Sequence, residues 1–281
     1  MTTTVVAGQG SGHARFTYRL RVSSSAGAGL EAEWARCRWV WNECVAVSRK
    51  VHGLNRTAGQ KATCGPAQLD RMLTQARRSM AWLREGSSVP QQQVIRDFAK
   101  SRAKALRDIA ARLPVRQRAG MPRIKRKREA APTLNYTTRG FRLKDGRLHL
   151  AGGIVVTVVC SRDLSSRPTS VRVCRDSLGH WYASFVVATA PQPLPATGAV
   201  IGVDWGVLET ATTTSDAHDL PHPQHGKTAA QRLARYQRMM ARRKPARGQG
   251  ASRGYRTARA QAAKLHKKVA RQRQDTARKW A

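Results

Sequence analysis

Apolar and polar residues alternate early in the chain, where Phe16, Tyr18, Leu20 and Val22 are separated by Thr17, Arg19 and Arg21, with Arg15 in front. A period of two predicts a strand with one buried and one cationic face. The Ser/Gly/Ala stretch Ser23 to Gly29 reads as a turn. The period then lengthens. Trp34, Cys37, Trp41, Cys44 and Val45 recur at three- and four-residue spacing and predict a helix over Leu30 to Val51. A second helix is expected over Gln68 to Leu83. A third is announced by Ser88 and Pro90 and runs through Val94, Ile95, Phe98, Ala105, Leu106 and Ile109 to about Leu113.

Arg116 to Arg128 holds seven Lys/Arg and no acid, and its Gly120-Met121-Pro122 core is incompatible with a helix. It reads as an extended segment laid on phosphates, against the plainer reading of a solvated linker. From Phe141 the period returns to two, with a hairpin turning at Asp145-Gly146. Further strands are expected over Ile154 to Cys160, Ser170 to Cys174 and Trp181 to Ala188, the last two joined through Ser177-Leu178-Gly179. With Phe16 to Val22 they make a small β-barrel carrying a helical insertion. A Pro-rich linker, Pro191 to Pro195, precedes the apolar strand Ile201-Gly202-Val203-Asp204-Trp205-Gly206-Val207. Two antiparallel basic helices end the chain. Leu233, Tyr236 and Met240 line one, Leu265 and Val269 the other, and Pro245 to Gly250 breaks between them.

Composition sharpens this picture. The 281 residues carry 52 Lys plus Arg against 16 Asp plus Glu, a formal net charge of +36, yet 41% are apolar. That is enough for real cores. A foldable chain so cationic repels itself unless a polyanion neutralises it, which points to nucleic acid. A membrane-surface protein would need an anchoring amphipathic helix or a lipidation signal, and neither is found. Met1 to His13 has no apolar h-region, and the longest apolar run, Ile154 to Cys160, is too short to span a bilayer. Cys37, Cys44, Cys64, Cys160 and Cys174 form no CxxC pair. They read as reduced, mostly packed thiols of a cytoplasmic, nucleoid-associated protein.

Candidate chemistry centres on Asp204. An apolar strand delivering one carboxylate between Gly202 and Gly206 is how RNase H-like nucleases begin a metal site. After it the only acids are Glu209, Asp216, Asp219 and Asp275. Glu209 and Asp216 are assigned to a second strand and its turn. His218, His222 and His225 match no structural zinc spacing and read as a polar loop. Gln91, Gln92, Gln93 and Arg96 begin the third helix, and Gln and Arg can pair with adenine and guanine edges, although an ordinary polar helix face fits equally well. Trp34, Trp39, Trp41 and Trp82 read as core, with Trp39 the candidate for base stacking.

Together these pieces resemble the TnpB/OrfB family of insertion-sequence proteins. The resemblance is carried by Arg15-Phe16-Thr17-Tyr18-Arg19-Leu20, Cys37-Arg38-Trp39-Val40-Trp41-Asn42, Val89-Pro90-Gln91-Gln92-Gln93-Val94-Ile95-Arg96-Asp97 and Gly120-Met121-Pro122-Arg123-Ile124-Lys125-Arg126-Lys127. The Asp204 strand and the basic hairpin Gln231 to Lys279 complete it. The resemblance implies an α+β chain. An oligonucleotide-binding-like β-barrel (strand 1–22, remainder 129–190) is interrupted by a helical recognition domain and basic segment over 23–128. A linker over 191–198 then leads to an incomplete RNase H-like (RuvC) α/β domain over 199–281.

The implied activity is RNA-guided cutting of double-stranded DNA, with a guide RNA from the transposon end and Mg²⁺ in the complete site. No membrane or small-molecule partner is implied. The implied nucleic-acid contacts are Arg15, Arg19, Arg21, Gln91, Gln92, Arg96, Arg123, Lys125, Arg126, Lys127, Arg128, Arg242, Arg243 and Lys244. The family's catalytic Glu strand, CxxC zinc ribbon and final Asp have no counterpart after Asp204. Asp204 alone cannot position two cations. The sequence therefore predicts a truncated chain that binds without cutting and holds no zinc. A non-cleaving regulator and an N-terminal fragment of a complete endonuclease are the alternatives.

Overall fold

In the computed structural model, which describes residues 12–57, 62–127, 130–190, 198, 200–246 and 248–281, the alternating segment forms β1 (Gly12–Arg21). Its even-numbered residues Tyr18 and Leu20 are buried, and Arg15, Arg19 and Arg21 are exposed. The chain divides into two units, one ending at Pro191 and one starting at Gln192.

In the first unit the helical insertion follows β1. Ser23 to Gly29 is helix, not turn: α1 runs Ser24–Thr57, and the Ser23 hydroxyl caps it by accepting the Ala26 N–H at 3.2 Å. Glycine serves there for close approach, since a Cβ on Gly29 would stand 3.0 Å from Ile154 Cγ1. α1 buries Leu30, Trp34, Cys37, Val40, Cys44 and Val45, each apolar side chain of this size contributing roughly 1.5–3 kcal/mol. The expected second helix is two pieces, α2 (Pro66–Ser79) and the single turn α3 (Ala81–Arg84), separated by Met80 in extended conformation. α4 spans Ser88–Ala110, capped by the Ser87 hydroxyl.

The sheet resumes with β2 (Thr133–Thr137), a strand the sequence reading passed over. A 3₁₀ turn, Thr138–Gly140, leads into β3 (Phe141–Lys144), β4 (Arg147–Leu150), β5 (Ile154–Val159), β6 (Pro168–Arg175) and β7 (Trp181–Thr189). Seven strands lie in the order β2-β6-β7-β1-β5-β4-β3, all neighbours antiparallel. The two edge strands are consecutive in sequence, joined only by Thr138–Gly140, so the sheet curls into a nearly closed barrel. Gly140 is required at that seam: a Cβ would meet Val89 Cγ1 at 2.8 Å and Tyr136 Cδ1 at 2.9 Å. The β3–β4 hairpin turns at Asp145 (φ 49°) and Gly146 (φ 68°), the primed turn that matches strand twist. Tyr18, Leu20, Leu134, Tyr136, Leu148, Val156, Val173 and Phe185 fill the interior, continuous with the helical core.

The second unit has three short antiparallel strands in the order β10-β9-β8: β8 (Val203–Asp204), β9 (Glu209–Thr213) and β10 (Leu220–Pro221). A 3₁₀ turn at Asp216–His218 precedes β10. α5 (His225–Arg242) and α6 (Arg253–Trp280) form the expected antiparallel hairpin. His225 Nε2 meets Thr276 Oγ1 at 3.0 Å at one end, and Arg243 reaches the Gly254 carbonyl at 3.4 Å at the other. Trp280 donates to the His218 carbonyl at 2.7 Å and stands edge-on to Trp205, fastening α6 to the strands. The Pro191 to Pro195 linker lies outside the described residues.

Candidate nucleic-acid interface

β1 turns Arg15, Arg19 and Arg21 outward because its alternate residues are committed to the barrel. Alternate side chains on one strand face stand roughly 7 Å apart, giving a short cationic row. The neighbouring strands extend it. Thr17 Oγ1 meets Ser184 Oγ at 3.0 Å across β1 and β7. Arg172 on β6 donates to Asn135 on β2 at 2.9 Å, and Asn135 donates to Asp97 on α4 at 2.8 Å. Arg15, Arg172, Asn135, Gln93 and Asp97 line one polar groove of about 160 Å³. Arg172 was missed in the sequence; its alternation with Val171 and Val173 is the signal that could have found it.

The basic segment is extended near Lys125, and it is buttoned to α1. The Asn42 side chain pairs with the Lys125 backbone as a strand would, accepting its N–H at 2.8 Å and donating to its carbonyl at 3.3 Å. Trp41 donates its indole N–H to the Arg123 carbonyl at 2.8 Å. The Lys125 ammonium lies 3.8 Å from the Trp41 ring centre and 5.4 Å from that of Trp34. Burial lowers its pKa, opposed by nearby Asp97 and Cys37. Lys125 is thus withdrawn from the outward cationic set, a cation seated on aromatic faces. Arg123, Arg126 and Lys127 are exposed on the same segment. Arg128 lies outside the described residues. Trp41 keeps its place on the core stripe, edge-on to buried Phe98 at 5.4 Å, while its indole N–H serves this latch, and Trp39 packs edge-on against the exposed Trp82 at 6.2 Å.

At the start of α4, Gln92 and Arg96 are exposed, but Gln91 is fully buried. Its amide donates to the Leu83 carbonyl at 3.0 Å and accepts from Arg77 at 2.7 Å. Arg77 also donates to the carbonyls of Leu83, Gly86 and Arg84, which is why α2 ends where it does and the chain doubles back. For Gln91 to meet a base edge, α4 would have to leave α3. Glu33, buried beside this knot, accepts from Arg36 at 2.8 Å and from the Ser87 N–H. Burial raises its pKa against the pull of Arg36. Desolvation likewise pushes the buried Cys44 thiol up to about 12; Cys160, by contrast, is exposed.

In the second unit, Arg242, Arg243 and Lys244 are exposed at the end of α5. β8 departs from the seven-residue apolar strand, Ile201 to Val207, that the pattern predicts. It holds two residues, paired among the described residues with β9 alone, and Ile201 and Val207 are 47% and 93% exposed. Asp204 is exposed opposite Thr212. Asp219 accepts from the Thr213 N–H at 2.6 Å and hydroxyl at 3.1 Å, Glu209 from Thr212, and Asp275 pairs with Lys279 at 2.9 Å. Among the described residues no group of three or more His, Cys, Asp or Glu could hold a metal ion. A strand-end carboxylate outside any such group does not fit a pair of magnesium ions. No helix among the described residues is long and apolar enough to cross a membrane.

Two comparisons bear on this arrangement. Residues 184–281 match the OrfB-type family described as "Probable transposase". Over 266 residues the chain is 28% identical to a Streptomyces pristinaespiralis protein named "Putative RNA-guided DNA endonuclease", a match covering 92% of this chain and 61% of that relative.

Proposed function

We propose that the chain is a TnpB/OrfB-type insertion-sequence protein that holds a guide RNA derived from a transposon end and, through it, double-stranded target DNA. Its match to an OrfB-type "Probable transposase" family over residues 184–281 and its resemblance to a relative named "Putative RNA-guided DNA endonuclease" support this reading. Base pairing supplies sequence choice in such a scheme, and the protein grips backbone. The observation that carries this reading is the outward cationic row Arg15, Arg19 and Arg21, set on a rigid barrel in a chain of net charge +36. Arg123, Lys127 and the α5 end add separate cationic stations. The RuvC-like reading of 199–281 belongs to the same proposal and is supported by the sequence pattern around Asp204 and by the family match over 184–281.

The same proposal holds that these 281 residues bind without cutting, because among the described residues Asp204 belongs to no group of three or more possible metal ligands. Purification at moderate salt followed by sequencing of the bound RNA tests the binding: a discrete RNA mapping to a transposon end is expected. Bulk RNA that washes off with salt would overturn it. Guide-dependent, Mg²⁺-dependent cleavage abolished in Asp204→Ala would overturn the second part.

A further inference from the structure

β1 outruns β7. Their pairing ends at Arg19 opposite Tyr182, whereas β1 continues to Arg21, held on its other side by β5 opposite Thr157. A notch opens at the barrel rim between the end of β1 and the turn preceding β7, with a volume of about 560 Å³. Its walls combine two chemistries. Val22, Val159 and Trp181 are apolar, and Arg19, Arg21 and His180 are basic. The volume lies in the range of small-molecule sites. Apolar walls with a cationic rim are what a nucleobase and its phosphate require together.

The notch is prebuilt. Asp176 Oδ1 accepts from the Leu178 and His180 N–H groups, both at 2.9 Å, and the Asp176 N–H donates to the His180 carbonyl at 2.8 Å. Gly179 occupies φ 86°, and a Cβ there would meet nothing within 4 Å, so the turn leaves its side of the notch open. Trp181 is pinned by the Arg175 guanidinium 5.7 Å from its ring centre, and Arg175 is itself paired with Glu31. His180 Nδ1 has no hydrogen-bond partner and stands 4.0 Å from Asp176 Oδ2.

We propose that this notch is a subsite for one unpaired nucleotide of a single strand, its phosphate held by Arg19 and Arg21 and its base lodged against Val22, Val159 and Trp181. The proposal rests on the nucleic-acid reading above and narrows it. A stacked duplex keeps its bases out of such a notch, so the site discriminates by strandedness, which charge alone does not.

Val159→Trp fills the notch from β5 without changing charge. The probes are a 12-nucleotide oligouridine, the matching oligothymidine and a 12-base-pair duplex, each titrated into the full chain at fixed salt. Loss of a lodged base predicts roughly tenfold weaker single-strand binding, with duplex affinity and the thermal midpoint unchanged. Loss for both strands identifies an unpaired nucleotide of either sugar, and loss for oligouridine alone identifies RNA. Unchanged single-strand affinity, or an equal loss on the duplex, overturns the subsite. Ultraviolet crosslinking of 4-thiouridine RNA to the unaltered chain needs no variant: adducts on the 180–182 peptide are expected, and adducts confined to other peptides overturn it. Failure of every probe to bind would instead sink the nucleic-acid reading itself.

Discussion

Lys125 shows how one residue within a basic run can differ from its neighbours. Its ammonium rests on Trp41 and Trp34, and its backbone is clasped by Asn42. It therefore fixes where Arg123 and Lys127 stand, and its own ammonium is expected to make no phosphate contact. Neutralising a phosphate contact reduces the salt dependence of binding by about one slope unit. Arg123→Gln and Lys127→Gln are expected to do so, singly and together. Lys125→Met, which keeps the stem over the rings, is expected to leave the slope unchanged in titrations between low and moderate salt. An equal drop for Lys125→Met would put that ammonium on a phosphate. Nothing in the composition of Arg116 to Arg128 separates these lysines and arginines. The distinction arises from Trp34, Trp41 and Asn42, far earlier in the chain, and only folding brings them together.

At the scale of elements, pattern predicted what is decided locally. The two-residue alternation of β1, the Asp145-Gly146 turn and the Ser87-capped start of α4 each depend on neighbours in sequence, and each is present. Ser23 to Gly29 misled because Gly29 answers to Ile154 on a distant strand and not to a turn. β2 escaped notice because its five residues carry only Leu134 and Tyr136 as a signal. Gln91 misled for a related reason: it reads as one of three identical polar residues, yet it closes the knot between α2, α3 and α4 through Arg77. Gln91→Ala would leave the Leu83 carbonyl without the Gln91 amide and Arg77 one acceptor short in a buried setting. A loss of about 1–3 kcal/mol is expected, read as a lower urea midpoint with unchanged slope. Gln92→Ala, exposed on the same turn, should stay within about 0.5 kcal/mol of the parent. Equal stabilities for the two variants would contradict the knot.

Across the whole molecule, apolar burial and positive charge are unevenly shared. The first unit has a continuous core from Tyr18 to Phe185. In the second, the described buried residues are Ala211, Thr213, Ala258 and Ala262, while Gly226 to Ala281 carry eighteen Lys/Arg against the single acid Asp275. The α5–α6 seam of half-buried Leu233, Tyr236, Leu265 and Val269 works against repulsion between like charges along both helices. A helical hairpin with so little buried surface is marginal on its own, and a polyanion that binds only its folded form stabilises it by mass action. Two steps are therefore expected when the chain is heated. An early loss of helical signal belongs to 225–280, and a later one belongs to the barrel and its insertion. Adding a short RNA at a hundred times its dissociation constant contributes about 2.7 kcal/mol to whatever folded unit it binds. If the α5 end is a contact, as Arg242, Arg243 and Lys244 suggest, RNA raises the early step, and Arg242→Gln with Lys244→Gln reduces that rise. A single transition in the free chain would mean that the hairpin draws its stability from more than its own seam. An early step that RNA leaves in place would confine the nucleic-acid contacts to the first unit.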